Sequence, residues 1–301
     1  MHGEIAEQPD APHVRRRQEL LCGSHRFPEP GPVTTASAAG FLPAGVPGLL
    51  ADLAERGFAM RQLDRPLDTC EFRALGDVLG SPIPETDEQV RPFVEDGVVL
   101  NLISRHTETS DVGLQPFATN YLSLHTEGSG RPVAQQPRYL VLMCREPGDG
   151  DGTAQTVLTP MAGVAARLAP EHTRTLARTC YRHAGGDPWI ARDQDGRTVF
   201  SFRDFMGQTL RWTHDGHATD ARTVDDALRA LLDAMYHPDG MVAVRWQPGL
   251  LVVFDNTFFF HGRTARVGPL KEPRHLMRLR VATARPAGTE EPIDQRRAEH
   301  V

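Results

Sequence analysis

The chain has 301 residues, of which 40% are hydrophobic, and its 33 basic and 39 acidic side chains give a formal net charge of −6. This balance argues against a nucleic-acid partner, because phosphate recognition needs concentrated basic charge. No apolar run reaches the roughly 20 residues of a membrane-spanning helix, and the four cysteines form no CxxC pair of the kind that holds structural zinc. We expect a cytoplasmic protein that acts on a small molecule and binds no membrane, while its oligomeric state stays open.

Composition divides the chain into one large domain between two tails. Residues 1–40 are rich in proline, glycine, alanine and charge and show no periodicity, so they predict an N-terminal tail that is flexible or packed loosely over the domain. Residues 41–290 contain the periodic segments and predict a single domain, and residues 291–301 predict a C-terminal tail.

The predicted elements follow from hydrophobic periodicity, which is near 3.6 residues in an amphipathic helix and two residues in a half-buried strand. In chain order, the patterns predict a helix over residues 49–56, a strand over 58–63, a helix over 69–79, a strand over 98–103, a polar loop over 104–118, strands over 121–127 and 137–144, helices over 160–168 and 170–179, a hairpin over 189–202, a helix over 224–235, and strands over 241–246, 250–254 and 276–283. Many short strands with flanking helices indicate a mainly β fold, either a two-sheet sandwich or a jelly roll.

One pattern brings an imidazole and a carboxylate together. His125 and Glu127 lie two residues apart on a predicted strand, where residues i and i+2 point to the same face. They supply two of the three ligands of a 2-His-1-carboxylate site. Such a site selects non-heme Fe(II) and leaves coordination positions on the metal open for oxygen chemistry. The same tripeptide occurs at residues 106–108, but the polar residues after it indicate a loop, so we prefer the second copy.

The best candidate for the third ligand is His261. It follows the apolar strand over residues 250–254, an Asp255-Asn256 turn and an aromatic run, and it precedes Gly262. A core histidine bonded to the backbone is the alternative. Two open positions on Fe(II) would suit a bidentate co-substrate such as 2-oxoglutarate, whose distal carboxylate needs a fixed cation.

Three arginines after His261 could provide that cation. Arg274, Arg278 and Arg280 are separated by even numbers, so they share one face of a regular strand. A solvated sheet edge is the alternative interpretation. Three residues near the predicted metal strand, Asn101, Gln115 and Ser123, are polar candidates for a substrate pocket.

Together these motifs resemble the TauD/clavaminate-synthase-like branch of the Fe(II)/2-oxoglutarate-dependent oxygenases. The resemblance covers residues 47–284 and rests on His125-Thr126-Glu127, Pro137-Arg138-Tyr139, Asp255-Asn256, His261-Gly262-Arg263 and the pair Arg274 and Arg278. It implies a double-stranded β-helix (jelly-roll) core, iron bound by His125, Glu127 and His261, and 2-oxoglutarate bound by Arg274. It also implies that Arg278 holds a substrate carboxylate, and that a threonine hydroxyl contacts 2-oxoglutarate, with Thr156 the best match and Thr153 the fallback.

The resemblance implies an oxidoreductase that uses Fe(II), 2-oxoglutarate and O2 to oxidise an unactivated C–H bond. The expected substrate is a small carboxylate-bearing molecule, a free amino acid or a derivative in a biosynthetic pathway, and hydroxylation is the expected outcome. Desaturation or oxidative cyclisation is the alternative within the family. A jelly-roll protein that binds a metal or ligand without turnover is the alternative outside it.

Overall fold

The computed structural model describes residues 1–22, 28–104, 109, 114–148, 154–181, 187–216, 219–266 and 272–283. Its helices are α1 (Pro12–Leu21), α2 (Phe41–Ala44), α3 (Val46–Arg56), α4 (Thr69–Leu79), α5 (Met161–Arg167), α6 (Pro170–Leu176) and α7 (Ala221–Met235). Its strands are β1 (His2–Ile5), β2 (Thr34–Ala36), β3 (Phe58–Leu63), β4 (Ser81–Pro82), β5 (Val94–Glu95), β6 (Val99–Ile103), β7 (Leu122–His125), β8 (Tyr139–Glu146), β9 (Thr156–Pro160), β10 (Thr179–Tyr181), β11 (Ala191–Gln194), β12 (Arg197–Phe200), β13 (Leu210–His214), β14 (Val242–Val244), β15 (Leu250–Asp255), β16 (Phe259–Arg263) and β17 (His275–Ala282).

Two sheets face each other and form the jelly roll. The major sheet has the order β2-β3-β15-β8-β17-β6-β5, with β4 beside β17, and the minor sheet has the order β14-β9-β16-β7. A smaller sheet of β1, β13 and β10 and the hairpin β11-β12 lie outside this pair. The mainly β jelly roll with flanking helices is therefore confirmed.

The alternation of side chains along the strands separates three hydrophobic cores. Leu140 and Leu142 of β8 point between the two sheets, whereas Val141 and Met143 of the same strand pack on the other face against α2, α3 and α4. In the minor sheet, Leu158 of β9 belongs to the core between the sheets. The preceding residue, Val157, faces the core formed with α5 and α7. The period of two thus assigns each strand residue to a side, as pleated strands require.

Local signals explain where the helices begin and end. Asp68 caps α4 by accepting a hydrogen bond from the backbone N–H of Glu71, whose side chain reciprocates to form a capping box. The helix α3 ends at Gly57, whose φ of 74° is the left-handed conformation that glycine adopts without strain. These two helices match the sequence prediction to within a few residues.

The N-terminal segment differs from the predicted tail. Strand β1 pairs with β13, and α1 buries one side, including Val14, Arg17 and Leu21. The prediction of a flexible tail over residues 1–40 is therefore wrong for β1 and α1. The composition of this segment could not reveal these contacts, because β13 and α7 lie more than 200 residues away in sequence.

Some predictions lie outside the described residues. These are the C-terminal tail over residues 291–301, most of the loop over 104–118, and the first His-Thr-Glu copy at 106–108. Among the helices that are described, none combines the length and the apolar character needed to cross a bilayer.

Candidate active site

Neighbouring strands of the minor sheet bring the two histidines together. His261 of β16 is the direct cross-strand partner of His125 at the end of β7, and their ring centroids are 4.1 Å apart. Both side chains point between the sheets, because the residues beside them, Leu124 and Phe260, belong to the core on the opposite side. The pairing of β7 with β16 could not be read from the separate motifs.

Glu127 completes the cluster. Potential ligand atoms of His125, Glu127 and His261 all lie within 4.8 Å of one another. Strand β7 ends at His125, so Glu127 lies in the turn that follows and not on the strand itself. The prediction that these side chains face one cavity agrees with the structure, although a turn and not a continuous strand provides the last step.

Burial and charge prepare all three groups to bind a cation. Burial lowers the pKa of His261 to about 4, despite the opposing effect of Glu127, and burial together with His261 lowers the pKa of His125. Burial alone would raise the pKa of Glu127, but Arg278 and Arg280 lower it to about 2. At neutral pH the cluster therefore offers two neutral imidazoles and one carboxylate, which are the protonation states that metal binding requires.

Hydrogen bonds hold the ligand side chains in place. The Nδ1 atom of His125 lies 2.8 Å from the backbone carbonyl of Ser123, to which it can donate, and this leaves Nε2 available for a metal. The side chain of Asn256 accepts from the N–H of Glu127 at 2.9 Å and donates to the carbonyls of Glu127 and Pro137. The Asp-Asn turn noted in the sequence thus positions the carboxylate ligand.

The cluster fits a divalent transition metal. Two imidazoles and one carboxylate form the facial donor set that non-heme Fe(II) oxygenases use. The two histidines and Glu127 line the walls of cavities and do not fill a closed core, so exogenous ligands can approach the same point.

A small apolar cavity beside the cluster contains a buried guanidinium. Arg274 is 4% exposed, and burial lowers its pKa to about 10. Its Nε and Nη1 atoms have no hydrogen-bond partner among the described residues. Five leucines line this cavity, and Thr156, His261, Arg263 and Arg278 are also on its wall. A buried cation beside apolar walls attracts anions of suitable size.

A second cavity, of about 510 Å3, opens on the other side of the cluster. Arg278 and Arg280 enter it and share the buried carboxylate of Glu85, at 3.0 Å and 2.7 Å. The same two guanidiniums lie 3.5 Å and 3.7 Å from Glu127. Arg131 and Arg203 also line this cavity, so its wall has four guanidiniums beside the carboxylates of Glu85, Asp87 and Glu127.

The two cavities meet at the candidate ligands. His125, Glu127 and Arg278 line both of them. A molecule in the apolar cavity and a molecule in the larger cavity would therefore both be adjacent to a metal held by the cluster.

The remaining predicted residues are distributed unevenly. Thr156 lines the apolar cavity, whereas Thr153 lies outside the described residues. Asn101 points away from the cavities, contrary to our expectation, because it occupies the face of β6 opposite Leu100 and Leu102. Its amide binds Glu95 and its oxygen lies 2.7 Å from His275.

Gln115 and Ser123 lie beside the site without lining either cavity that contains the cluster. The Gln115 side chain accepts a hydrogen bond from Arg203, and its backbone carbonyl accepts one from Arg263. The Ser123 hydroxyl donates to the carbonyl of Asp204. These contacts place both residues in supporting positions, and their contact with substrate stays a prediction.

Sequence reasoning missed Glu85 and Arg203. Glu85 follows β4, whose pairing with β17 brings it to Arg278 and Arg280. Arg203 is held next to His125 by an isolated bridge between their backbones. No local pattern marks either residue, because each reaches the site through pairing with a distant strand.

The fold and the site define a class of protein: a jelly roll with a His-Glu-His cluster and a buried arginine is the architecture of a non-heme Fe(II) oxygenase. In agreement, the model of the taurine catabolism dioxygenase TauD, TfdA family matches residues 39–280. The chain belongs to this family of Fe(II)/2-oxoglutarate-dependent oxygenases.

Individual relatives agree with this assignment. The tyrosine isonitrile desaturase of Pseudomonas aeruginosa is 29% identical over 206 residues, which span 62% of this chain and 66% of that protein. Among solved structures, PvcB from Pseudomonas aeruginosa superposes with a TM-score of 0.60 at 22% identity, covering 84% of this chain and 86% of that one. An asparagine oxygenase in complex with Fe(II), 3-hydroxyasparagine and succinate superposes with a TM-score of 0.57 at 17% identity, covering 81% and 80%. At these identities the solved structures establish the fold alone.

Proposed function

We propose that this protein is an Fe(II)/2-oxoglutarate-dependent oxygenase that oxidises an unactivated C–H bond of a small carboxylate-bearing molecule, an amino acid or a derivative of one. The observation that supports this most strongly is the meeting of two different cavities at His125 and Glu127, with a buried guanidinium in each. A protein that only stores or senses a metal needs no such pair of anion sites beside it.

We assign iron to His125, Glu127 and His261, and 2-oxoglutarate to the apolar cavity. Iron, when bound, would supply the activation of O2 that couples decarboxylation of 2-oxoglutarate to oxidation of the substrate. Arg274 would neutralise the distal carboxylate of 2-oxoglutarate, since a guanidinium binds a carboxylate at two points and the Nε and Nη1 atoms of Arg274 have no partner among the described residues. The leucines on the wall lower the local polarity, which would strengthen this ion pair.

We assign the substrate to the larger cavity and its carboxylate to Arg278. Arg278 and Arg280 neutralise Glu85 and Glu127. A divalent cation bound by Glu127 would compete for that negative charge and leave the guanidiniums able to attract another anion. The carboxylate at Arg278 would then orient the rest of the substrate beside the cluster.

Desaturation is the second candidate outcome. It is favoured by the match to the tyrosine isonitrile desaturase, a protein whose name gives both its substrate and its reaction. By this comparison, an amino acid whose nitrogen is converted to an isonitrile belongs among the candidate substrates. Hydroxylation adds one oxygen atom to the product, whereas desaturation removes two hydrogen atoms, so product mass separates the two reactions.

The test is a screen of amino acids and of nitrogen-modified amino acids with purified protein, Fe(II), 2-oxoglutarate and O2. We expect substrate-dependent formation of succinate and a product heavier by 16 or lighter by 2 mass units. Arg278→Met should lose the dependence on the carboxylate substrate, whereas Arg15→Met, at an exposed position on α1, should behave as wild type. A protein that binds Fe(II) but forms no succinate with any substrate would support the non-catalytic alternative.

We also propose that the protein works in the cytoplasm. The four cysteines are all free, which suits a reducing compartment. Fractionation of the producing cells, with the protein followed by antibody, would test this location.

A further inference from the structure

Arg17 of α1 is a buried charge in a segment that precedes the part of the chain matched by the family model. It is 5% exposed, and both of its terminal nitrogens donate to the carboxylate of Glu7 at 2.7 Å. It also donates to both oxygens of Asp204, at 2.9 Å and 3.1 Å. Buried charges of this kind are strongly destabilising when one partner is removed, because the other is left without compensation.

Asp204 connects Arg17 to the strand that carries His125. Its carboxylate accepts a hydrogen bond from the Tyr236 hydroxyl at 2.6 Å, and that hydroxyl accepts one from the backbone N–H of Leu124 at 3.1 Å. The backbone N–H of Asp204 donates to the carbonyl of Leu124 at 3.1 Å. Both polar backbone groups of the residue before His125 are therefore held by this network.

The hydrogen bonds from Asp204 and Tyr236 matter because β7 lies at the edge of its sheet. Strand β7 is an edge of the minor sheet: β16 pairs with it on one side, and on the other side it has the isolated backbone bridge between His125 and Arg203. The other side would expose backbone groups, and Asp204 and Tyr236 satisfy them. The strand before His125 is thus held by Asp204 and by Tyr236, and the carboxylate that accepts from Tyr236 is the one that Arg17 neutralises.

Helix α1 also reaches the second histidine strand. The carbonyl of Leu21, the last residue of α1, accepts a hydrogen bond from Ala265 at 2.6 Å, two residues after the end of β16. Leu20 and Leu21 pack in the same core cluster as Leu124 and Phe260, the neighbours of the two candidate histidine ligands. The helix therefore contacts both strands that supply imidazoles.

We propose that Arg17 is a positioning residue for the metal site: by neutralising Asp204, it keeps Asp204 and Tyr236 bonded to Leu124 and so sets the position of His125 relative to His261. The proposal rests on the proposed function only in taking His125 and His261 as metal ligands. Helix α1 would then support the metal site, although it lies before the residues that the family model covers.

The test measures metal affinity of the full chain without turnover. Arg17→Met removes the charge, and Arg15→Met is the matched control because Arg15 is exposed on the same helix. Both proteins are titrated with Mn(II), which is followed by electron paramagnetic resonance, below the temperature at which either begins to unfold. We expect the Kd for Mn(II) to rise about 10-fold in Arg17→Met, the lower end of the effect of removing a partner of a metal ligand, and to stay unchanged in Arg15→Met.

A double-mutant cycle separates positioning from a general loss of stability. In an Asp204→Asn background, Arg17→Met should change the Kd for Mn(II) by less than about twofold, because the route through Asp204 is already broken. A Kd for Arg17→Met equal to that of Arg15→Met, with only a lower melting temperature, would overturn the proposal, as would an equal effect in both backgrounds.

If Arg17→Met does not fold, Tyr236→Phe decides the matter, because it removes one oxygen atom and with it the bonds to Asp204 and Leu124. A weaker Mn(II) affinity supports the proposal, and an unchanged affinity overturns it. A wild-type protein that binds no Mn(II) would instead refute the proposed function itself.

Discussion

Arg274 offers the sharpest test of the proposed co-substrate site. Its Nε and Nη1 groups lack partners among the described residues, and at 4% exposure they are not screened by solvent. A hydrogen bond to a charged group contributes about 1.5–3 kcal/mol, so the loss of two in Arg274→Met should cost at least about 3 kcal/mol of 2-oxoglutarate binding. That corresponds to roughly a 150-fold higher Kd.

The same substitution should not weaken the fold. Replacing a buried cation that has no anionic partner among the described residues by an apolar side chain is expected to be neutral or stabilising. We therefore expect the melting temperature of Arg274→Met without ligands to equal or exceed that of wild type. This expectation separates lost binding from lost structure.

The assay is an anaerobic titration of the Fe(II) protein with 2-oxoglutarate, followed by the charge-transfer band that forms when the two combine. Arg278→Met is the comparison, because Arg278 is assigned to the substrate although it also lines this cavity, and it should raise the Kd for 2-oxoglutarate less than Arg274→Met does. An unchanged Kd in Arg274→Met would refute the assignment of the apolar cavity. Equal losses in the two variants would refute the division of roles between the arginines.

Three further predictions concern the ligands and their support. His125→Ala should abolish Fe(II) binding in an equilibrium titration, whereas His106→Ala should retain it, and the reverse result would mean that the first His-Thr-Glu copy is the site. Asn256→Ala should lower the free energy of unfolding by about 3 kcal/mol in urea denaturation, because buried backbone groups of Glu127 and Pro137 lose their partner; a change below about 0.5 kcal/mol would contradict this. Burial would raise the pKa of Glu7, but His13 and Arg17 lower it to about 2. The ionised carboxylate therefore stabilises the fold at any pH above the pKa of Glu7 in the unfolded chain, and this stabilisation is lost as the pH falls toward 2. Accordingly, Glu7→Gln should be less stable than wild type at pH 7, and the difference should shrink below about pH 4.5; a difference that is constant with pH would contradict the ion pair.

Long-range pairing explains why the site was only partly predictable. Arg274, Arg278 and Leu276 share one face of the last strand as their even spacing predicts, and they line the apolar cavity. The same reasoning failed for Asn101, because its face depends on how β6 pairs with β17 and which side of the major sheet is covered by helices. Glu85 and Arg203 could not be predicted at all, since strand pairing alone delivers them to the site.

The sequence by itself determined the helices with strong periodicity and caps, the buried strands, and the residue types of a 2-His-1-carboxylate site, because these depend on neighbours a few positions apart. Only the tertiary structure decided that β16 pairs with β7, so that His261 meets His125, and that the N-terminal helix reaches the metal strand through Arg17 and Asp204. Those contacts join residues more than 130 positions apart. Burial and paired charges stabilise these contacts, and both arise only when the chain has folded and the two sheets have packed together.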